Sequence, residues 1–197
     1  VGVRNFLVEG VSGTGKTSVC DELGRRGYQA IHGDRELAYQ GDPLTGVKVS
    51  GSGHEHHIWD VEQVRALAAD DSQPLTFFCG GSRNFAMFID LFDEVFVLDI
   101  DAETLHHRLD RRPTDEWGSE PAERELIARL HRTGEDVPAG VVVDATQPLT
   151  QVVDQILDHV QQAWTTGRGG HPTARPGQGR PGQGRPGQGP PGQGRPG

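Results

Sequence analysis

The chain has 197 residues, with 28 acidic side chains against 19 basic ones and a formal net charge of −9. Residues 167–197 hold 12 of the 28 Gly and 7 of the 13 Pro, a density that supplies neither the apolar area nor the helix or strand propensity of a packed core. The same stretch holds five of the 19 basic residues and none of the acids, so the rest of the chain is strongly acidic and a poor electrostatic match for nucleic acid.

In chain order, apolar runs at 3–8, 28–31, 75–79, 94–100 and 140–143 are read as strands, four of them apolar almost throughout, as strands buried on both faces should be. Helices are expected at 16–26, 61–69, 84–92, 102–111, 121–133 and 149–164. In the last of these, Val152, Val153, Ile156, Leu157 and Val160 recur at helical spacing. Strands that alternate with helices predict an α/β fold, a doubly wound parallel sheet whose ligands sit beyond the C-terminal ends of the strands. The stretch 40–57 is long for a connection and is read as functional or mobile.

The body, 1–165, is expected to be one domain. The remainder, 166–197, repeats Arg-Pro-Gly-Gln-Gly from 175, 180 and 185. That period of five cannot build a collagen triple helix, and the tail is read as a disordered extension. Cys20 and Cys79 are the only cysteines, too few for a disulfide framework or a zinc cluster. No run approaches the roughly 18 to 20 apolar residues of a membrane span, and residues 1–10 lack the pattern of a signal peptide. The expectation is a cytoplasmic protein with neither a membrane nor a nucleic-acid partner.

Gly10-Val11-Ser12-Gly13-Thr14-Gly15-Lys16-Thr17-Ser18 follows the first strand and opens the first helix. This is a G-x-x-x-x-G-K-[ST] loop in the context that turns a pattern into a site. Glycines let backbone N–H groups turn in around phosphate oxygens, and the helix N-terminus adds partial positive charge. Lys16 can reach the β- and γ-phosphates and Thr17 can offer its hydroxyl to Mg²⁺, so the loop predicts a bound nucleoside triphosphate. No Asn-Lys-x-Asp segment is present to read guanine.

Four further segments follow in order: His32-Gly33-Asp34 at the second strand end, Cys79-Gly80-Gly81-Ser82-Arg83 at the third, Arg108 with Arg111-Arg112 before Pro113, and Asp144-Ala145-Thr146-Gln147-Pro148 after the fifth. With the P-loop, they make residues 3–160 resemble the nucleoside/nucleotide kinase-like P-loop kinases, the group of shikimate, gluconate and adenylate kinases. The resemblance is closest to short-lid ATP-binding members and implies a three-layer fold with strand order 2-3-1-4-5. It implies that Asp34 accepts the proton of an acceptor hydroxyl or holds Mg²⁺ through water, against the plainer reading of a helix N-cap. Gly80, Gly81 and Arg83 would contact the acceptor, with a strand-to-helix turn capped by Ser82 or Asn84 as the alternative.

Arg108 and Arg112 are the chosen catalytic pair, read with Arg111 as one helix face ahead of a lid at 113–119. They would neutralise charge on the transferring phosphoryl group; a solvated basic face is the bland alternative. Asp144 and Thr146 would lie beside the nucleotide base, or form an ordinary turn. Two departures from the group stand out: Phe77-Phe78-Cys79 lacks the usual terminal Asp, and Ile58-Trp59-Asp60 stands where shikimate kinases carry an arginine. Trp59 is read as a core anchor, and His54-Glu55-His56-His57 as acceptor contact or solvated loop. The resemblance implies a monomer or homodimer that binds ATP with Mg²⁺ and phosphorylates a small nucleoside, nucleotide or sugar-acid-like acceptor. The alternative is an ATP-binding sensor or interaction module without small-molecule kinase activity.

Overall fold

The computed structural model describes residues 4–167 apart from 52 and 115, and for 164–167 the backbone only. Of the tail expected as disordered over 166–197, residues 166 and 167 instead continue the last helix, and 168–197 lie outside the described residues.

Five parallel strands form the central sheet: β1 (Arg4–Glu9), β2 (Gln29–His32), then, after the short elements below, β5 (Leu75–Cys79), β6 (Glu94–Asp99) and β7 (Val141–Asp144). Between β2 and β5 lie α2 (Gly33–Glu36), β3 (Ala38–Gln40), β4 (His57–Trp59) and α3 (Val61–Ala68). The remaining helices are α1 (Lys16–Arg25), α4 (Ala102–Asp110), α5 (Pro121–Thr133) and α6 (Leu149–Gly167). The spatial order is β2-β5-β1-β6-β7, which is 2-3-1-4-5 when only the parallel strands are counted.

Alternation within the strands builds two cores, because successive side chains point to opposite faces. Phe6 and Val8 of β1 join Phe77, Phe96 and Leu98 beneath α1, α4 and α6, where Val19, Leu23, Leu105, Val153 and Ile156 are buried. Leu7 and Phe78 face the other way, onto Trp59, Val64 and Phe88. Trp59 is fully buried and lies parallel to Phe88 with ring centroids 5.6 Å apart, so it is the core anchor its sequence context suggested. Asp60 caps α3 by accepting from the Glu62 and Gln63 N–H groups, and Asp101 caps α4 through the Thr104 N–H.

Two stretches differ from the sequence reading. The stretch 40–57 is no featureless loop. It is the excursion of a hairpin in which β3 and β4 pair antiparallel, Gln40 opposite His57. Asp42 ties its tip by accepting from the Leu44 and Thr45 N–H groups, and Tyr39 Oη donates to the Gly46 carbonyl at 2.8 Å.

The helix expected at 84–92 is two 3₁₀ turns, Phe85–Met87 and Ile89–Leu91. The reason is a tertiary contact: Ser82 and Asn84 do not cap a helix, because both accept from the Trp59 N–H while Asn84 Nδ2 donates to the Trp59 carbonyl. Their side chains clamp β4 instead. Among the described residues no helix is long and apolar enough to cross a membrane.

Candidate active site at the strand ends

β1 ends at Glu9, and the chain then wraps through Gly10, Gly13 and Gly15, all at positive φ. A Cβ on Gly10 would stand 2.7 Å from both the Leu98 carbonyl and Thr14 Oγ1, so the loop closes only with glycine there. Thr14 is buried and its Oγ1 donates to the Val11 carbonyl at 2.8 Å. Lys16 curls over the loop, with Nζ 2.5 Å from the Gly10 carbonyl and 3.3 Å from that of Val11. Thr17 and Ser18 are exposed on the first turn of α1, while Ser12 lines the cleft with Lys16.

Two arginines reach this loop from the end of α4. The helix stops at Asp110, so the three arginines do not share one helical face: Arg111 is exposed and Arg112 sits in the following turn. Arg108 Nη1 donates to the Thr14 carbonyl at 2.8 Å and Nη2 to the Ala145 carbonyl at 2.7 Å. Arg112 Nη1 donates to Ser12 Oγ at 3.0 Å and to the Trp117 carbonyl. Arg108 thus ties the P-loop to the segment after β7, and Arg112 ties it to the lid. Within that segment Asp144 accepts from the Thr146 N–H and hydroxyl and from Gln147. Asp144 and Thr146 bond each other and do not line the cleft at Lys16; Arg108 links their loop to it.

Beneath the loop lies a cleft of about 410 Å³. Asp34 opens into it with its side chain 42% exposed. Asp34 does not cap a helix, since α2 begins at Gly33. Its Oδ1 accepts instead from the Gly81 N–H at 3.0 Å and lies 3.2 Å from His57 Nε2. Burial pushes this carboxyl up, but the His57 bond, the Lys16 charge and the Gly81 N–H outweigh it and hold Asp34 below the usual aspartate value.

The glycine pair serves these side chains rather than leaving open space. A Cβ on Gly80, at φ 156, would meet Asp34 Oδ1 at 2.6 Å and Trp59 at 2.7 Å, and one on Gly81 would meet Glu9 Oε1 at 2.8 Å. Arg83 is neither free nor on the surface. Its side chain is 11% exposed and pairs with Asp136, Nη1 to Oδ2 2.6 Å.

Several cleft residues escaped the reading of the sequence. Glu9, 2% exposed, has an Oε2 with no hydrogen-bond partner. Burial drives its carboxyl up to about 8, against the opposing pull of Lys16 and Arg83. The signal was an acid directly after the apolar run Phe6–Val8, one residue before Gly10. Asp136, from the loop after α5, also holds His54 Nε2 at 2.7 Å. Burial lowers His54, and the His54 bond and Arg83 charge keep Asp136 low against its own burial. His54 in turn stacks on Trp117 of the lid, centroids 5.3 Å apart at 13°.

The hard oxygen donors near the phosphate loop suit Mg²⁺: the Thr17 hydroxyl, exposed on the first turn of α1, and the ionised Asp34 carboxylate, which opens into the cleft.

The sequence family described as the AAA domain matches residues 7–135. Among solved structures, a sugar kinase from Janibacter sp. HTCC2649 superposes with a TM-score of 0.53 at 20% identity, over 81% of this chain and 95% of that one. A gluconokinase from Sinorhizobium meliloti 1021 gives 0.51 at 18%, over 85% and 98%. A shikimate kinase from Bacteroides thetaiotaomicron gives 0.50 at 12%, over 81% and 99%. No curated protein matches the chain. With a P-loop, a parallel sheet in the order 2-3-1-4-5 and these likenesses in fold, the chain belongs to the AAA domain family and is built as the P-loop kinases are.

Proposed function

We propose that the protein is a small-molecule kinase that moves the γ-phosphoryl group of ATP to a hydroxyl of a small acceptor. The observation that carries this reading is the shared cleft: Lys16 and Ser12 of the phosphate loop line the same cavity as the Asp34 carboxylate. A loop that cradles phosphates and a base that faces it are the two parts in-line phosphoryl transfer needs. Asp34 is ionised and oriented by the Gly81 N–H and His57, so it can accept a hydroxyl proton.

The acceptor oxygen then forms its bond to the γ-phosphorus as the bond to the bridging oxygen breaks, ADP leaves, and the proton stays on Asp34 until solvent takes it. Lys16 swings from the Gly10 carbonyl onto the β- and γ-phosphates. Arg112, beside Ser12, supplies positive charge for the equatorial oxygens, while Arg108 holds the loop to the segment after β7. Mg²⁺, when bound, neutralises phosphate charge, and Thr17 with Asp34 would hold it, directly or through water. The Trp117–His54 contact brings the lid over the cleft, where exclusion of water protects the phosphoryl group from hydrolysis.

The test is ADP release from Mg·ATP across nucleosides, sugars, cyclitols and their acids and phosphates. Acceptor-dependent turnover of roughly 1–100 s⁻¹, lowered at least ~100-fold by Lys16→Ala and by Asp34→Asn, is the expected result. Full turnover in both variants would refute the roles given to these residues. Tight ATP binding with no acceptor-dependent release would point instead to a nucleotide sensor.

A further inference from the structure

The acceptor end of the cleft has a charge character that narrows what it can hold, and this argument rests on the kinase reading above. Among the described residues four carboxyl groups line the cleft, Glu9, Asp34, Glu123 and Asp136, against one guanidinium, Arg83. Among the described residues that line the cleft the other lysine or arginine is Lys16, over the Gly10 carbonyl, while Arg108 and Arg112 bind the phosphate loop at the Thr14 carbonyl and Ser12. Arg83 is itself neutralised by Asp136 at 2.6 Å, on the same oxygen that holds His54 at 2.7 Å.

We infer that the acceptor is a polyol bearing neither carboxylate nor phosphate, held by hydroxyl groups donated to Glu9 and Asp34. A clamp for an anion needs uncompensated positive charge, commonly a bidentate arginine, and here the charge of the one arginine among the described cleft residues is already met by Asp136. An anionic acceptor would also approach Asp34 and the γ-phosphate, and like charges placed together across a buried site are strongly disfavoured.

A hydroxyl meets the opposite situation. It both donates and accepts, and the site presents matched orphans: Glu9 Oε2 and, on Arg83, Nε and Nη1, all buried without a hydrogen-bond partner. One hydroxyl at Asp34 reacts. A second, on the same molecule, donates to Glu9 and fixes the first in line. Glu9 offers no positive charge in either protonation state, and Asp34 beside it is ionised. An amino group in place of a hydroxyl is tolerated or favoured by the ionised Asp34.

The experiment compares matched series on the full chain: glucose, glucosamine, gluconate and glucose 6-phosphate; myo-inositol and its phosphate; adenosine and AMP. ADP release from Mg·ATP is followed for each. The neutral or aminated member of the responding series is expected to exceed its anionic counterpart in kcat/KM by on the order of 100-fold. Asp136→Asn, which frees Arg83, narrows that ratio at least about tenfold, and Arg83→Gln, which leaves no guanidinium, widens it.

An anionic member ahead of its neutral counterpart overturns the inference and leaves the kinase reading standing. A panel silent throughout, with ATP still bound, overturns both. Variants that move the ratio in the same direction, or leave it fixed, overturn the role given to the Arg83–Asp136 pair.

Discussion

Glu9 sets up the sharpest test of how this site is built. Its carboxyl is 2% exposed, and burial raises it from an ordinary 4.5 to about 8 despite Lys16 and Arg83. Between those two values the folded chain holds a proton that the unfolded chain has released, so stability falls as pH rises. The contribution is complete below about 4.5 and is lost by the time pH passes 8. At about 1.4 kcal/mol for each pH unit, the whole window is worth about 5 kcal/mol, and the portion between pH 6 and 8 about 3 kcal/mol.

Glu9→Gln keeps the shape and removes the proton. In urea unfolding followed by circular dichroism, the variant should therefore gain on the parent chain by about 3 kcal/mol as pH is raised from 6 to 8.5. In a domain of this size that is roughly 10 °C in Tm. His54, held below its ordinary value by burial, has the opposite slope at lower pH, but it is common to both proteins and drops out of the difference. A gap between the two proteins that stays constant within about 0.5 kcal/mol across this range would refute the reasoning.

Three other substitutions probe separate parts of the framework. Gly33→Ala would place a Cβ 2.0 Å from Trp59 Cζ2, and that ring is pinned against Phe88. A loss of about 3 kcal/mol in urea unfolding is expected, and unchanged stability would show that Trp59 can give way. Arg108→Ala strips charge-assisted bonds from the Thr14 and Ala145 carbonyls. ATP affinity by calorimetry should fall at least about tenfold, with about 2 kcal/mol of stability; unaltered affinity would mean the loop holds itself. His54→Ala removes the platform beneath Trp117, which is 37% exposed. Iodide quenching of its fluorescence should rise about twofold, and no rise would mean the lid does not rest on His54.

The strands and the phosphate loop were legible because their causes are local. Phe6, Leu7 and Val8 are apolar in succession since β1 lies between two other strands with cores on both faces. The loop 10–17 announces itself because only glycine closes it against Leu98. The stretch 84–92 looked helical for the opposite reason: its composition suits a helix, but Ser82 and Asn84 are committed to the Trp59 backbone. A contact with β4, far off in sequence, therefore overrides the local preference.

The same division runs through the site. Lys16 and Asp34 could be found because each stands at a fixed place relative to a strand end. What surrounds them could not, because it is assembled from pairs with no sequence relation: Asp136 reaches His54 across 82 positions and neutralises Arg83. Read alone, Arg83 beside a glycine pair suggests an anion-binding acceptor site. Read with Asp136, it is a neutralised donor in a cleft rich in carboxyl groups. The narrowing of the expected acceptor, from a nucleoside, nucleotide or sugar-acid-like molecule to an uncharged polyol, thus comes from a residue whose position in the chain carries no hint of the cleft it enters.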